Sequence, residues 1–178
     1  MERDLPPLKV EISEAQIKER IREMAKEISK DYKGKDLLLV SVLKGSFIFA
    51  ADLIRELDLE DNEVDFMAIS SYNGETESSK NPRIIKDVDT DIRGRNVLIV
   101  EDIVDTGYSF ETLTRILSAR NPASLKTCAL LSKPERREVE VPIDYLGFEI
   151  PNFWAEGYGL DTNQKGRGHR FIGSRKNP

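Results

Sequence analysis

The chain has 178 residues, 39% hydrophobic and 33% charged, a length that suits one compact domain and a balance that fits neither disorder nor membrane residence. A formal net charge of −5 argues against bulk capture of nucleic acid, which needs a basic surface, and leaves room for a local basic pocket holding a small anion. Cys128 is the sole cysteine, so no intrachain disulfide or multi-cysteine metal site forms; with no signal core after Met1-Glu2-Arg3-Asp4 and no apolar run able to span a bilayer, a cytoplasmic protein is expected.

Ser13 followed by Gln16 has the form of a capping box. Ile17, Ile21, Met24, Ala25 and Ile28 then recur at helical spacing, and Gly34 follows as a stop. Leu37-Leu38-Leu39-Val40 is a short apolar run of the kind buried on both faces of a parallel sheet. Residues 46–57 read as a helix, with Phe47, Ala50, Ala51, Ile54 and Leu57 on one stripe, and residues 63–70 alternate as a strand. Residues 71–95 run polar, with Gly74, Pro82 and Gly94 and little periodicity, which is long for a connection in a compact domain. Asn96 to Val100 is a second buried strand, residues 109–120 a helix, and Leu125 to Leu131 and Ile143 to Phe148 two more strands. Alternating strands and helices imply a three-layer α/β domain with a mostly parallel sheet, whose functional loops lie beyond the strands' C-terminal ends.

The strongest local signal runs from Val97 to Ser109: an apolar strand, the adjacent acids Glu101 and Asp102, then Asp105-Thr106-Gly107-Tyr108-Ser109 opening a helix. Such a turn offers backbone N–H groups at a helix N-terminus, where an anion is favoured; Gly107 permits close approach, and Thr106 and Ser109 add hydroxyl donors. Glu101 and Asp102 suit ribose hydroxyls or a hydrated magnesium ion. The competing reading is that Asp105 or Ser109 only caps the helix and the acids decorate a strand end. Four apolar residues directly before the acids weigh against it, because unpaired charge there is costly. Neither Gly-x-Gly-x-x-Gly nor Gly-x-x-x-x-Gly-Lys-Ser/Thr occurs.

Val100 to Ser109 resembles the phosphoribosyl pyrophosphate signature of type I phosphoribosyltransferases. From about residue 8 to residue 173 the chain is similar to the bacterial hypoxanthine–guanine branch of that family. The resemblance implies a single domain over 1–178, built as a three-layer, mostly parallel twisted sheet flanked by helices. A small hood over about 133–178 would bind the base, and a flexible lid over about 71–95 would close on the reaction centre through Ser71 and Tyr72. It also implies purine salvage: the phosphoribosyl group of phosphoribosyl pyrophosphate passes to hypoxanthine or guanine, with Mg2+ as cofactor and a homodimer or homotetramer as the working form.

The roles implied follow residue by residue. Glu101 and Asp102 address the ribose hydroxyls and a magnesium ion, while Asp105, Thr106, Gly107, Tyr108 and Ser109 cradle the 5-phosphate. Asp105 is the base that takes the purine N7 proton. Lys44 and Gly45, in Leu43-Lys44-Gly45, form the pyrophosphate loop, where the family often has a cis peptide, and Arg167 is a further pyrophosphate ligand. Read alone, Lys44-Gly45 is an ordinary strand-to-helix turn. Lys133, otherwise a solvated surface lysine, donates to the purine 6-oxygen and so disfavours adenine.

In Phe153 to Asp161, Trp154 stacks on the base, Ala155 offers backbone contacts, and Asp161 serves a second magnesium. Trp154 alone could equally be a core or interface anchor. The chain departs from the family's pattern at Ala155-Glu156, where Val-Val is usual, at Thr162, where Tyr is usual, and through Asn163-Gln164-Lys165-Gly166. Glu156 is expected to face solvent beside the pocket, His169 to lie on the surface, and Cys128 to sit in the core. Two other readings stay open: a non-catalytic regulator on the same fold that binds nucleotides or RNA, and a transferase preferring xanthine or a pyrimidine.

Overall fold

The computed structural model describes residues 7–70 and 82–175. In chain order the elements are β1 (Lys9–Ile12), α1 (Glu14–Asp31), β2 (Leu37–Leu43), α2 (Phe47–Glu56), β3 (Asn62–Ser70), β4 (Arg83–Lys86) and β5 (Asn96–Val104). They continue with α3 (Tyr108–Ser118), β6 (Ser124–Ser132), a 3-10 turn at Pro134–Arg136, β7 (Tyr145–Glu149), β8 (Trp154–Glu156) and β9 (Ile172–Arg175). The capping box forms as the sequence predicts: the Ser13 hydroxyl accepts from Gln16 N, and Ser13 N donates to Gln16 Oε1 at 3.0 Å.

Six strands make the main sheet, in the order β4-β3-β2-β5-β6-β7. All neighbours are parallel except β4, which runs antiparallel to β3 at one edge. Side chains alternate across β5, and this makes the three layers. Leu98 and Val100 pack with Ile17, Ile21 and Met24 of α1 and Phe49 and Leu53 of α2. Val97 and Ile99 point the other way, onto Phe110, Leu113 and Leu117 of α3. Each such Leu, Ile or Phe contributes about 1.5–3 kcal/mol by leaving water. Cys128 lies in this core on β6. No helix among the described residues is long and apolar enough to cross a membrane.

Three features differ from the sequence expectation. On α2 the buried side chains are Phe49, Ala50 and Leu53, while Phe47 and Ala51 are exposed, so the stripe lies off the expected face. The polar stretch 71–95 holds a short strand, β4, whose residues are mostly exposed, so no buried face left a periodic signal. A second sheet of three antiparallel strands, β1-β9-β8, joins the two ends of the described chain, with Lys9 opposite Ser174 and Ala155 also opposite Ser174. β1 has only four residues and a largely exposed pattern, so it carries no recognisable alternation.

The position of β5 sets the location of the site. Its pairing with β2 ends at Ser41 and Val100, whereas its pairing with β6 runs on to Val104 and Ser132. Beyond Val100 the two central strands part, and the chain crosses through α2 from one and through α3 from the other. This is the topological switch point of an α/β sheet, where a crevice opens at the strands' C-terminal ends.

Asp65, buried on β3, secures the return from β4. Its carboxylate accepts from Asp89 N at 2.7 Å and Thr90 N at 2.8 Å, and from Phe66 N at 2.6 Å. Burial alone would raise its pKa, but these backbone donors together outweigh it and hold the carboxyl below the ordinary 3.8. Its stabilising contribution is therefore complete above pH 3.8 and is lost as pH falls through the lower folded value. Asp65→Ala is expected to cost about 1–3 kcal/mol at pH 7, and the gap to wild type should narrow toward pH 3 in paired denaturant titrations. A gap that widens on acidification would contradict the assignment.

Candidate active site

Glu101 and Asp102 lie half-buried in the part of β5 that β2 no longer accompanies. Asp102 Oδ1 accepts from Ile103 N at 2.9 Å. Burial, and then the neighbouring Asp102 charge, push the Glu101 carboxyl well above its usual range. Burial raises Asp102 as well, against the lowering effect of Glu101 and the Ile103 N–H. Both adjacent carboxyls are therefore held above their usual range in this crevice, and a nearby cation would draw them back down.

The turn that follows is held from outside. Thr106 O accepts from Glu138 N and Val139 N, both at 3.0 Å, and the Tyr108 hydroxyl donates to Glu138 Oε2 at 3.0 Å. Gly107 is the N-cap residue of α3, with φ of 98° and no side-chain cap, so neither Asp105 nor Ser109 serves as the helix cap. A Cβ there would also overlap the Val139 carbonyl. The first N–H groups of α3 have no intrahelical acceptor and open toward the crevice end of the sheet. Asp105 Oδ1 is buried without a hydrogen bond, and Arg136 Nε stands 2.9 Å away as a Coulombic partner outside hydrogen-bonding alignment.

Across the crevice, β2 ends in a cis peptide between Leu43 and Lys44. Gly45 lies directly against Asp102, and a Cβ on it would overlap that carboxylate. Gly159 lies in turn on Gly45, where a Cβ would overlap the Gly45 carbonyl. Arg167 fastens this last contact: its Nη1 donates to Gly159 O at 2.7 Å, and its Nη2 pairs with Asp161 Oδ1 at 2.7 Å. Lys44 Nζ donates to Gln164 Oε1 at 3.3 Å, and Arg167 Nη2 donates to the same oxygen at 3.1 Å.

Lys133 follows β6 and is buried, its backbone N–H bonded to Val104 O at 3.0 Å. Burial draws its ammonium below the ordinary lysine value, with Asp105 working against that shift. Trp154 begins β8, half-buried, and its Nε1 donates to Thr162 Oγ1 at 2.8 Å; Ala155 beside it is buried. Lys44, Gly45, Glu101, Asp102, Asp105 to Ser109 and Lys133 thus all follow or end β2, β5 and β6, while Asp161 and Arg167 reach the same edge from the loop after β8. Ser71 and Tyr72 lie outside the described residues.

The expectation for Glu156 is corrected. Its side chain is only 3% exposed and forms a bidentate pair with Arg175, at 2.7 Å from Nε and 2.9 Å from Nη2. Arg175 foremost holds this carboxyl below its usual range, and that pairing is why a glutamate can occupy a buried position. His169 is exposed and stacks on Phe171, with Nε2 3.8 Å from Glu156 Oε1.

Sequence reasoning missed several supporting groups. Arg136 beside Asp105 had one signal, the basic pair Arg136-Arg137 shortly after Lys133. The Tyr158 hydroxyl donates to Asp52 of α2, tying the loop before Gly159 to the main body; 106 residues separate the two, and nothing local announces the bond.

Comparison with known proteins follows the same lines. A phosphoribosyl transferase domain model matches residues 11–163. The hypoxanthine phosphoribosyltransferase of Escherichia coli strain K12 is 48% identical over 168 residues, covering 93% of this chain and 94% of that protein. Among solved structures, a hypoxanthine-guanine phosphoribosyltransferase of Bacillus anthracis superposes with a TM-score of 0.90 at 42% identity, covering 96% of this chain and all of that one. A hypoxanthine phosphoribosyltransferase of Staphylococcus aureus gives a TM-score of 0.90 at 40% identity, over 97% of this chain and 92% of that one.

Adding one methyl at the centre of the stack tests the geometry. Gly45→Ala must force Asp102 or the β2 turn aside, an overpacking expected to cost about 1–3 kcal/mol in denaturant unfolding and to displace the Asp102 carboxylate in a crystal structure. Unchanged stability together with an unmoved Asp102 would show that the approach is looser than described.

Proposed function

The chain belongs to the phosphoribosyl transferase family, and from the site it carries we propose that it performs purine salvage, transferring the 5-phosphoribosyl group of phosphoribosyl pyrophosphate to hypoxanthine or guanine with release of pyrophosphate. The observation that carries this reading is the convergence, on one sheet edge, of an acid pair, an open helix start, a buried lysine and a Lys–Arg side. Each matches one part of the two substrates. The main-chain donors at Thr106 to Ser109 receive the 5-phosphate, and Glu101 and Asp102 accept from the ribose hydroxyls. Lys44, Gly45 and Arg167 take the departing pyrophosphate, for which a guanidinium is a well-matched partner.

The base lies between Trp154 and the end of β6. Lys133 donates to its 6-oxygen; an ammonium has no acceptor to offer the amino group of adenine. Ala155 contributes backbone contacts at the base edge. Asp105 takes the N7 proton as the purine attacks the anomeric carbon, and its hydrogen-bond-free oxygen suits that task. Carboxylates at Glu101 and Asp102 also stabilise the positive charge that grows on the ribose ring.

Magnesium fits this donor set. Two adjacent carboxylates resist carrying both charges alone, and among the described residues no cluster of three or more His, Cys, Asp or Glu is arranged to hold an ion. The remaining ligands then come from substrate oxygens and water, as is usual for this ion. When bound, it neutralises the oxygens of the leaving pyrophosphate. Glu101 and Asp102 would hold one ion and Asp161 a second, which would compete with Arg167 for the same carboxylate. The β1-β9-β8 sheet is proposed as the hood over the base, and, within the stretch 71–95, the part with Ser71 and Tyr72 ahead of β4 as the lid that keeps water from the reacting centre; β4 and the residues after it are fastened to the main sheet. The enzyme is placed in the cytoplasm, as a homodimer or homotetramer.

The test is a turnover assay with phosphoribosyl pyrophosphate and magnesium, offering hypoxanthine, guanine, xanthine and adenine in parallel to wild type and Asp105→Asn. Nucleotide should form from hypoxanthine or guanine and scarcely from adenine. Asp105→Asn should lose on the order of 10²–10⁴ in turnover while binding the sugar pyrophosphate normally. No nucleotide from any base would overturn the reading, and equal turnover in the variant would remove Asp105 from its role.

A further inference from the structure

Asn163 and Gln164, between Thr162 and Lys165, form a two-residue hairpin. Thr162 N donates to Lys165 O and Lys165 N to Thr162 O, both at 3.0 Å. Asn163 and Gln164 both have positive φ, 52° and 65°, the combination that a type I′ turn requires. The hairpin is anchored at both levels. Gln164 N donates to Asp161 Oδ2 at 2.7 Å, and buried Thr162 receives the Trp154 indole N–H. Gln164 is itself exposed, yet its backbone is delivered to one place.

From there the amide oxygen reaches both cations of the pyrophosphate side. Gln164 Oε1 accepts from Lys44 Nζ, at the end of β2, and from Arg167 Nη2, on its own loop. Arg167 Nη2 also pairs with the Asp161 carboxylate, but the one oxygen shared by the ammonium and the guanidinium is uncharged, a weak version of the partner such a pair is suited to hold. Ionised oxygens make hydrogen bonds of this kind roughly twice as strong as neutral ones. Resting on the reading of Lys44 and Arg167 as pyrophosphate ligands, we propose that Gln164 Oε1 stands where a diphosphate oxygen stands and competes with it for these two cations. Gln164 thereby sets the affinity of the site for pyrophosphate and for the pyrophosphate end of the sugar substrate, and it speeds the release of the product.

The competition predicts opposite effects from two small changes. Gln164→Asn keeps an amide and a residue that tolerates the left-handed backbone, but is one methylene too short to reach both cations. Gln164→Glu keeps the reach and adds a charge. Calorimetric titration of magnesium pyrophosphate should show binding to Gln164→Asn tightened about fivefold and binding to Gln164→Glu weakened about tenfold. The affinity for inosine 5′-monophosphate, which has no diphosphate, should stay unchanged in both. Equal or weaker pyrophosphate binding by Gln164→Asn, or tighter binding by Gln164→Glu, would overturn the competition. A separate control distinguishes the premise: Arg167→Gln should weaken pyrophosphate binding, and indifference to it would remove the subsite and the competition together.

Discussion

Three segments far apart in sequence touch here because two of them present glycines: Gly159 rests on the Gly45 carbonyl, and Gly45 rests on the Asp102 carboxylate. The rest of the site depends on this stack. It brings the loop after β8, the end of β2 and the acid pair of β5 within reach of one extended ligand. Arg167, bonded to Gly159 O, and Tyr158, bonded to Asp52, hold the upper member in place. Interiors packed to this density transmit displacement, so a shift in one member moves the others.

The electrostatics follow from the same arrangement. The sheet delivers acids from β5, while cations come from elements that flank it: Lys44 from β2, Lys133 from the end of β6, Arg136 from the turn beyond it and Arg167 from the last loop. The acids and most of these cations therefore come from different elements; Arg167 alone of the four pairs with an acid of its own loop, Asp161. Burial of Lys133 and of the Glu101–Asp102 pair costs stability in the isolated protein, and groups held at such cost in a cleft are characteristic of sites that bind and turn over charged substrates.

Much of this was legible in the sequence where one local rule sufficed. The apolar runs of β2, β5 and β6 mark strands buried on both faces, and the capping box marks the start of α1. Val100 to Ser109 carries its strand, acids and turn within ten consecutive positions, so the motif could be read locally, although Glu138 and Val139 hold the turn in place. What stayed hidden depends on residues remote in the chain or lacks a buried face. β1 finds its place only against β9, and β4 is too exposed for its composition to reveal it. Glu156 looks like a surface residue until Arg175 is brought beside it by the pairing of β8 with β9. Gln164 stands in a stretch marked as a departure, but the sequence does not reveal its contact with Lys44, 120 residues earlier.

As proposed, the stacked crevice is a single binding surface for one sugar pyrophosphate, and a crystal structure with phosphoribosyl pyrophosphate and magnesium tests this most directly. The 5-phosphate should sit on the main-chain N–H groups at the start of α3, the ribose hydroxyls at Glu101 and Asp102, and the pyrophosphate between Lys44-Gly45 and Arg167. A ligand whose pyrophosphate points away from Gly45, or whose 5-phosphate lies elsewhere than the turn at Gly107, would contradict it.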